Sequence, residues 1–428
     1  MPTNLPVPAA DLAVLRQLGE RQAQLAESAA NQEKIEAWYR HDAGHPERRP
    51  MVLAEVDYLR DRVRAPWEEL RCTHAWARQL ERRLRLRHYE IEVLGDDHVA
   101  LPWVEYGPVI HATDYGVPGG RHRQADADPL AHNYQPPLTT LDADELARLQ
   151  PRHFTWDRAA EDRERERLAQ AFAGVLPVRR RCQPWQLFMP LTSVALEFVG
   201  MDGFMTLLFD NPDGLHRLMG FLRDDYLAQI DWLDREGVWP LDNEADYVGA
   251  GSMGYTRDLP RPDSPALNGG PARASDRWFL SESQESVGLS PDQYAQFVFP
   301  YLAALAARFG KVYYGCCEPA DPLLDSLESL PNLARVSVSA WADEERLGAF
   351  CRRRGVAYSR KPSPNFFMAP AYDLEAVRAH LDRTVDCARG CRLEIIQRDV
   401  YVTAEQPGRF VQWVELARQA AARHRATA

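Results

Sequence analysis

The sequence predicts an α/β protein: a (β/α)8 TIM-like barrel with an N-terminal helical extension. Three observations predict it. Short β-rich runs alternate with helical stretches through the second half of the chain, the pattern of a parallel sheet with helices outside it. Roughly nine strand-like runs compete for the eight positions of such a barrel. Carboxylates and thiols follow these runs, where a barrel places its chemistry.

Residues 1–50 read as polar helix and form the extension; the barrel domain is expected over 51–428. MVLAEVDY, after the turn PERRP, is the first strand-like run. Arginines at helical spacing through 61–90 predict a solvated amphipathic layer. VALPWVEY (99–106) is the next strand-like run. The Gly/Pro/His/Asp-rich stretch 107–140 reads as a long loop, a kind often tied to function. DRAAEDRERERLAQAFAGV is helical, and CQPWQLFMPLTSVALEFVG fits either strand or helix. NPDGLHRLMGFLRDDYLAQIDWLDREGV opens on an Asn-Pro-Asp cap signal and runs as a long helix. DYVGAGS, DRWFLSES, KVYYGCC, ARVSVSA, GVAYSRK and RLEIIQRD are then strand-like, several separated by helical segments.

The 428 residues carry 51 Lys and Arg against 62 Asp and Glu, a net charge of −11. That balance argues against a duplex nucleic-acid binder and against anionic membrane surfaces. No apolar run reaches the roughly 18 residues of a spanning helix, and the first residues lack a signal-peptide layout. Seven cysteines, an odd number in a long chain, point to a reducing compartment and to free or metal-bound thiols. A cytoplasmic location is the expectation.

The strand ends supply the candidate site. Cys316-Cys317-Glu318, between Gly315 and Pro319, is the sharpest feature. Adjacent side chains of an extended chain point apart, so the chain must turn for both thiols to meet one ion; zinc favours such donors. Glu244, Glu282 and Asp399 are candidate catalytic acids or bases. The pair Arg360 and Lys361 could hold an anionic group, an arginine fork being suited to carboxylate or phosphate; Tyr247 and Asn243 complete the candidate substrate contacts. Cys391 begins the RLEIIQRD strand, whose far end lies roughly 26 Å away at about 3.3 Å per residue. It therefore belongs to the opposite face. Cys72, Cys182 and Cys351 read as buried or incidental, and His111 as a surface loop residue.

ERRPMVLAEVDYLR, SESQESVGLSPDQYAQFVFPYLAAL, VYYGCCEP and EIIQRDVYVTAEQPGRFVQWVELA together resemble the uroporphyrinogen decarboxylase superfamily, which includes cobalamin-linked methyltransferases. The resemblance spans roughly residues 33–425. The decarboxylase branch opens with an Arg-Gln-Ala-Gly-Arg-Tyr run that holds porphyrinogen carboxylates. Here the place reads Leu53-Ala54-Glu55-Val56-Asp57-Tyr58, which cannot clamp an octa-acid, so that activity is not expected. The methyltransferase branch takes zinc on His, Cys and a later Cys. Tyr314 stands at the histidine, Cys316 at the first cysteine and Asp399 near the second.

The resemblance implies a zinc-dependent methyltransferase, moving a methyl group to or from a thiol or a corrinoid partner, with Cys316, Cys317 and Glu318 as metal ligands. The alternative is a metal-free decarboxylase or lyase acting on a small carboxylated substrate through the rim acids. A small-molecule substrate, a corrinoid protein and a second copy of the chain are the expected partners; nucleic acid and membrane are not.

Overall fold

Six runs rich in Val, Ile, Leu and Tyr form the centre of the molecule. In the computed structural model, which describes residues 6–60, 65–117, 121–122, 133–181 and 188–424, these are β1 (Met51–Ala54), β2 (Trp278–Ser281), β3 (Lys311–Tyr314), β4 (Leu333–Val338), β5 (Ala357–Arg360) and β6 (Arg392–Gln397). They pair in parallel in the order β1-β6-β5-β4-β3-β2. The register aligns their C-terminal ends: Ser281 lies opposite Tyr314, Val338 opposite Arg360, and Gln397 opposite Ala54. Nearly every strand residue is buried, as in a sheet covered on both faces.

The helices run outside. They include α1 (Ala9–Glu27), α2 (Ala29–Asp42), α3 (Ala75–Tyr89), α4 (Arg158–Ala171), α5 (Leu191–Asp210), α6 (Pro212–Glu236), α7 (Glu344–Arg354), α8 (Leu374–Cys387) and α9 (Arg409–Arg423). Cap chemistry sets their limits. The Asn211 side chain accepts from the Gly214 amide with Pro212 at the first helical position, and Gly237 closes α6 in the left-handed conformation. The segment ambiguous between strand and helix is helical from Leu191; its residues 182–187, Cys182 among them, lie outside the described residues. Helix α5 is long and apolar enough to cross a membrane, contrary to the expectation from the bare sequence. Its backbone leaves helical geometry at Gly200 (φ 71°), and half of the apolar window is buried within the protein.

Two strand-like runs do not join the sheet. Within VALPWVEY only Val104–Tyr106 is extended, and it pairs with Val178–Arg180. Pro102 lacks the amide that a ladder needs. The edge of β1 is satisfied by acid side chains instead: Asp97 accepts from the Val52 amide at 2.7 Å and Asp96 from the Ala54 amide at 2.9 Å. DYVGAGS folds as a hairpin of Tyr247–Gly249 and Ser252–Met253. Its Val248 and Ala250 pack with Leu259, Trp278, Tyr313 and Ala334 in one apolar cluster. The observed sheet thus has six parallel strands in place of the eight expected. Of the long loop 107–140, residues 118–120 and 123–132 lie outside the described residues, and Ile110–Ala112 pairs antiparallel with Phe154–Trp156.

Candidate active site

The parallel order brings the residues after β1, β2, β3, β5 and β6 to one end of the sheet. At the end of β3, Gly315 has φ 95°, a left-handed conformation open to glycine. A Cβ there would sit 3.1 Å from Ser337 Cβ. This turn places both following thiols on the rim, with Cys316 Sγ 3.7 Å from Cys317 Sγ. The Ser337 hydroxyl donates to the Cys316 carbonyl at 2.8 Å and holds the turn. Cys317 is exposed and lies 3.9 Å from Asp399 Oδ2. The sulfur–sulfur contact divides the pair: a hydrogen bond from Cys316 lowers the Cys317 thiol, and the same bond raises Cys316. Cys317 is the sulfur that ionises first.

Glu318 is buried and turned from the thiols' open side. One of its oxygens accepts from the Ser283 amide at 3.0 Å and the other from the Cys316 amide at 2.9 Å. It braces the turn through these two amide bonds. Glu282 is buried beside it and accepts from the Gln284 amide at 3.0 Å. Burial first, then Glu285, Glu318 and Cys316, push its carboxyl up to about 9. Glu282 therefore stays protonated at neutral pH and can donate a proton.

The expected cationic pair is divided by strand alternation. Lys361 points inward. Its amine donates to Tyr313 Oη at 2.9 Å and Ser359 Oγ at 2.7 Å, and burial lowers it to about 7. Arg360 points outward to the helices, where Glu344 pairs with it at 3.0 Å and Thr384 and the Val338 carbonyl take further bonds. It is a structural ion pair between sheet and helix rather than an anion anchor. Asn243 and Glu244 lie at the other end: Asn243 donates to the Leu259 carbonyl at 3.0 Å and Glu244 pairs with Arg179 and Arg181. The neighbouring Asp242 accepts from the amide of Trp278, the first residue of β2, so both residues sit at the N-terminal edge of the sheet. Tyr247 does reach the rim, its hydroxyl 3.4 Å from Arg398 Nη1.

Arg398, which follows β6 directly, is the cation at the centre of this rim. Its Nε is 3.4 Å from Glu55 Oε2 and 3.3 Å from Asp399 Oδ2, and Nη2 is 3.4 Å from the Tyr58 hydroxyl. Its charge adds to the lowering of Cys317 and offsets part of the rise at Cys316. The Tyr314 hydroxyl bonds Ser283 and Tyr294, each at 2.9 Å.

Two thiolates on one tetrahedral zinc lie about 3.8 Å apart, from Zn–S bonds of about 2.3 Å. The Cys316–Cys317 separation of 3.7 Å fits that. Among the described residues, no three His, Cys, Asp or Glu side chains are assembled as a metal site, so only the two sulfurs are in place.

No protein-family model and no curated protein matches the sequence. A solved methyltransferase from Methanosarcina mazei is similar over 79% of this chain and 83% of its own, with a TM-score of 0.41 and 13% identity.

Proposed function

We propose that the chain is a methyl-transferring enzyme of the uroporphyrinogen-decarboxylase-like fold, in which the six strands and the flanking 94–98 and 247–253 segments complete a barrel. The observation that carries this reading is the thiol pair at the end of β3, set between Arg398, Asp399 and the protonated Glu282. Zinc would be held by Cys316 and Cys317, with Asp399 as the carboxylate donor in place of Glu318. When bound, it would keep an acceptor thiol ionised at neutral pH. Arg398 holds Asp399 in place, and its charge favours the ionised form of the thiols. Lys361, at about 7, accepts or returns a proton within the rim. Glu282 donates one to a group that leaves with negative charge.

Support for a protein partner, with a corrinoid as its methyl carrier, comes from the rim itself. Val287, Trp341, Met368, Tyr401 and Val402 are exposed large apolar residues, and all lie in segments that follow strands of the sheet. A second reading, a metal-free lyase for a small carboxylated substrate, is favoured by Glu282 and Lys361, whose environments set an acid and a base against each other.

Elemental analysis of protein purified without chelator or affinity metal tests the first reading. About one zinc per chain, lost in Cys317→Ser and in Asp399→Asn, supports it. Metal-free protein that takes up no zinc at micromolar concentration favours the lyase.

A further inference from the structure

A cavity lies at the end of the sheet away from the thiols. It has a volume of about 570 Å³ and is lined by the N-terminal residues of four strands or their approaches, Lys311, Leu333, Val356 and Arg392, and by Asp42, Arg48 and Arg352. A volume of that order takes a small organic molecule, larger than a single ion.

Its charge is unbalanced. Four cations line it (Arg48, Lys311, Arg352, Arg392) against two acids (Asp42, Asp258), a surplus of 4 − 2 = 2. Both acids are engaged. Asp42 is held between Lys311 at 2.8 Å and Arg335 at 3.1 Å, and Asp258 pairs with Lys311 at 2.7 Å. The three remaining guanidinium groups bond backbone carbonyls. Arg48 donates to Gly44, His45 and Gly390 oxygens, Arg352 to the Arg389 oxygen at 2.6 Å, and Arg392 to Asp42, Gly355 and Ala334 oxygens. Carbonyl contacts orient a guanidinium without neutralising it. Burial lowers Arg392; Asp42 and Glu394 oppose that shift, and Arg335 and Arg48 add to it.

We propose that this cavity is a second binding site, separate from the thiol rim, and that it takes a small phosphate-bearing molecule. Guanidinium forks match the oxygens of a phosphate, and the remaining volume accommodates an organic body. The site does not depend on the reading of the thiol rim.

Thermal melts and calorimetric titration of the full chain test it, with ribose 5-phosphate, inorganic phosphate and, as the uncharged control, ribose, all at matched ionic strength. Ribose 5-phosphate is expected to raise the melting temperature saturably, ribose to leave it unchanged. Arg352 is exposed, so Arg352→Ala should fold as the parent does, and its affinity should fall at least tenfold. Arg48→Ala should lose affinity likewise. Tighter binding of ribose 5-phosphate than of inorganic phosphate identifies an ester as the occupant; equal binding identifies free phosphate. Absence of saturable binding by either, or unchanged affinity in Arg352→Ala, would overturn the proposal and leave the arginines as caps on helix C-termini.

Discussion

Cys317 and Cys316 differ by one position in sequence and have opposite acidities. Cys317 is exposed and lowered, Cys316 raised, because one thiol donates to the other. Thiolate is the reactive form. With a trace of iodoacetamide at pH 7.5, Cys317 should be alkylated at least tenfold faster than Cys316, read by peptide mapping. Cys391, buried and bonded to the Gly348 carbonyl, should be slower still; modification of Cys316 first would refute the assignment. Glu282 makes a second test. Its folded value of about 9 lies above the ordinary 4.5. Between these values the folded chain holds a proton that the unfolded chain has released. The stability from this group is therefore full below about 4.5 and is lost as pH rises towards 9. Glu282→Gln keeps a neutral side chain at every pH. Relative to the parent, it should melt about 2 °C or more higher at pH 8.5 than it does at pH 5, since 1 kcal/mol shifts a large domain by about that much. An offset that does not change with pH would mean that Glu282 is ionised in the folded state.

At the scale of elements, the site depends on a turn. Gly315 adopts φ 95° and has Ser337 packed close beside it. Gly315→Ala should destabilise by about 1–2 kcal/mol from the left-handed backbone alone. It should also lower activity more than tenfold, because small displacements of reacting groups are costly. Denaturant melts and turnover check the two effects separately. The six sheet strands and most of the helices were legible because each carries a continuous β-rich run or a strong cap. The two failed strands were not. A Pro within VALPWVEY was visible, but the carboxylates of Asp96 and Asp97 replacing a neighbouring strand on β1 could not be read from pattern. The site was partly legible for the same reason: residues after strand ends are recognisable, whereas the side on which each one points is not. One residue of register separates the inward Lys361 from the outward Arg360, and no spacing in the sequence marks Arg398 as the centre of the rim.

Across the whole molecule, a polar axis joins the two ends of the sheet. Lys361 bonds Ser359, Ser359 and Ser252 donate to Glu394 at 2.7 and 2.8 Å, and Glu394 pairs with Arg335 at 3.2 Å. Arg335 in turn reaches Asp42. Burial of so many charges is tolerable because each has a partner. Glu394→Gln would leave Arg335 without one of its two carboxylates and should cost about 3–5 kcal/mol in a urea melt; a loss below about 1 kcal/mol would show that the axis is wetter than its burial implies. The proposed function belongs to the rim at one end of this axis. It is tested most directly by methyl transfer from methylcobalamin to 2-mercaptoethanol, comparing the parent chain with Cys317→Ser of equal melting temperature. The expected result is methylated thiol from the parent and a rate at least a hundredfold lower from the variant. Equal rates from the two proteins, or no product from the parent, would contradict a thiol-centred methyl transfer.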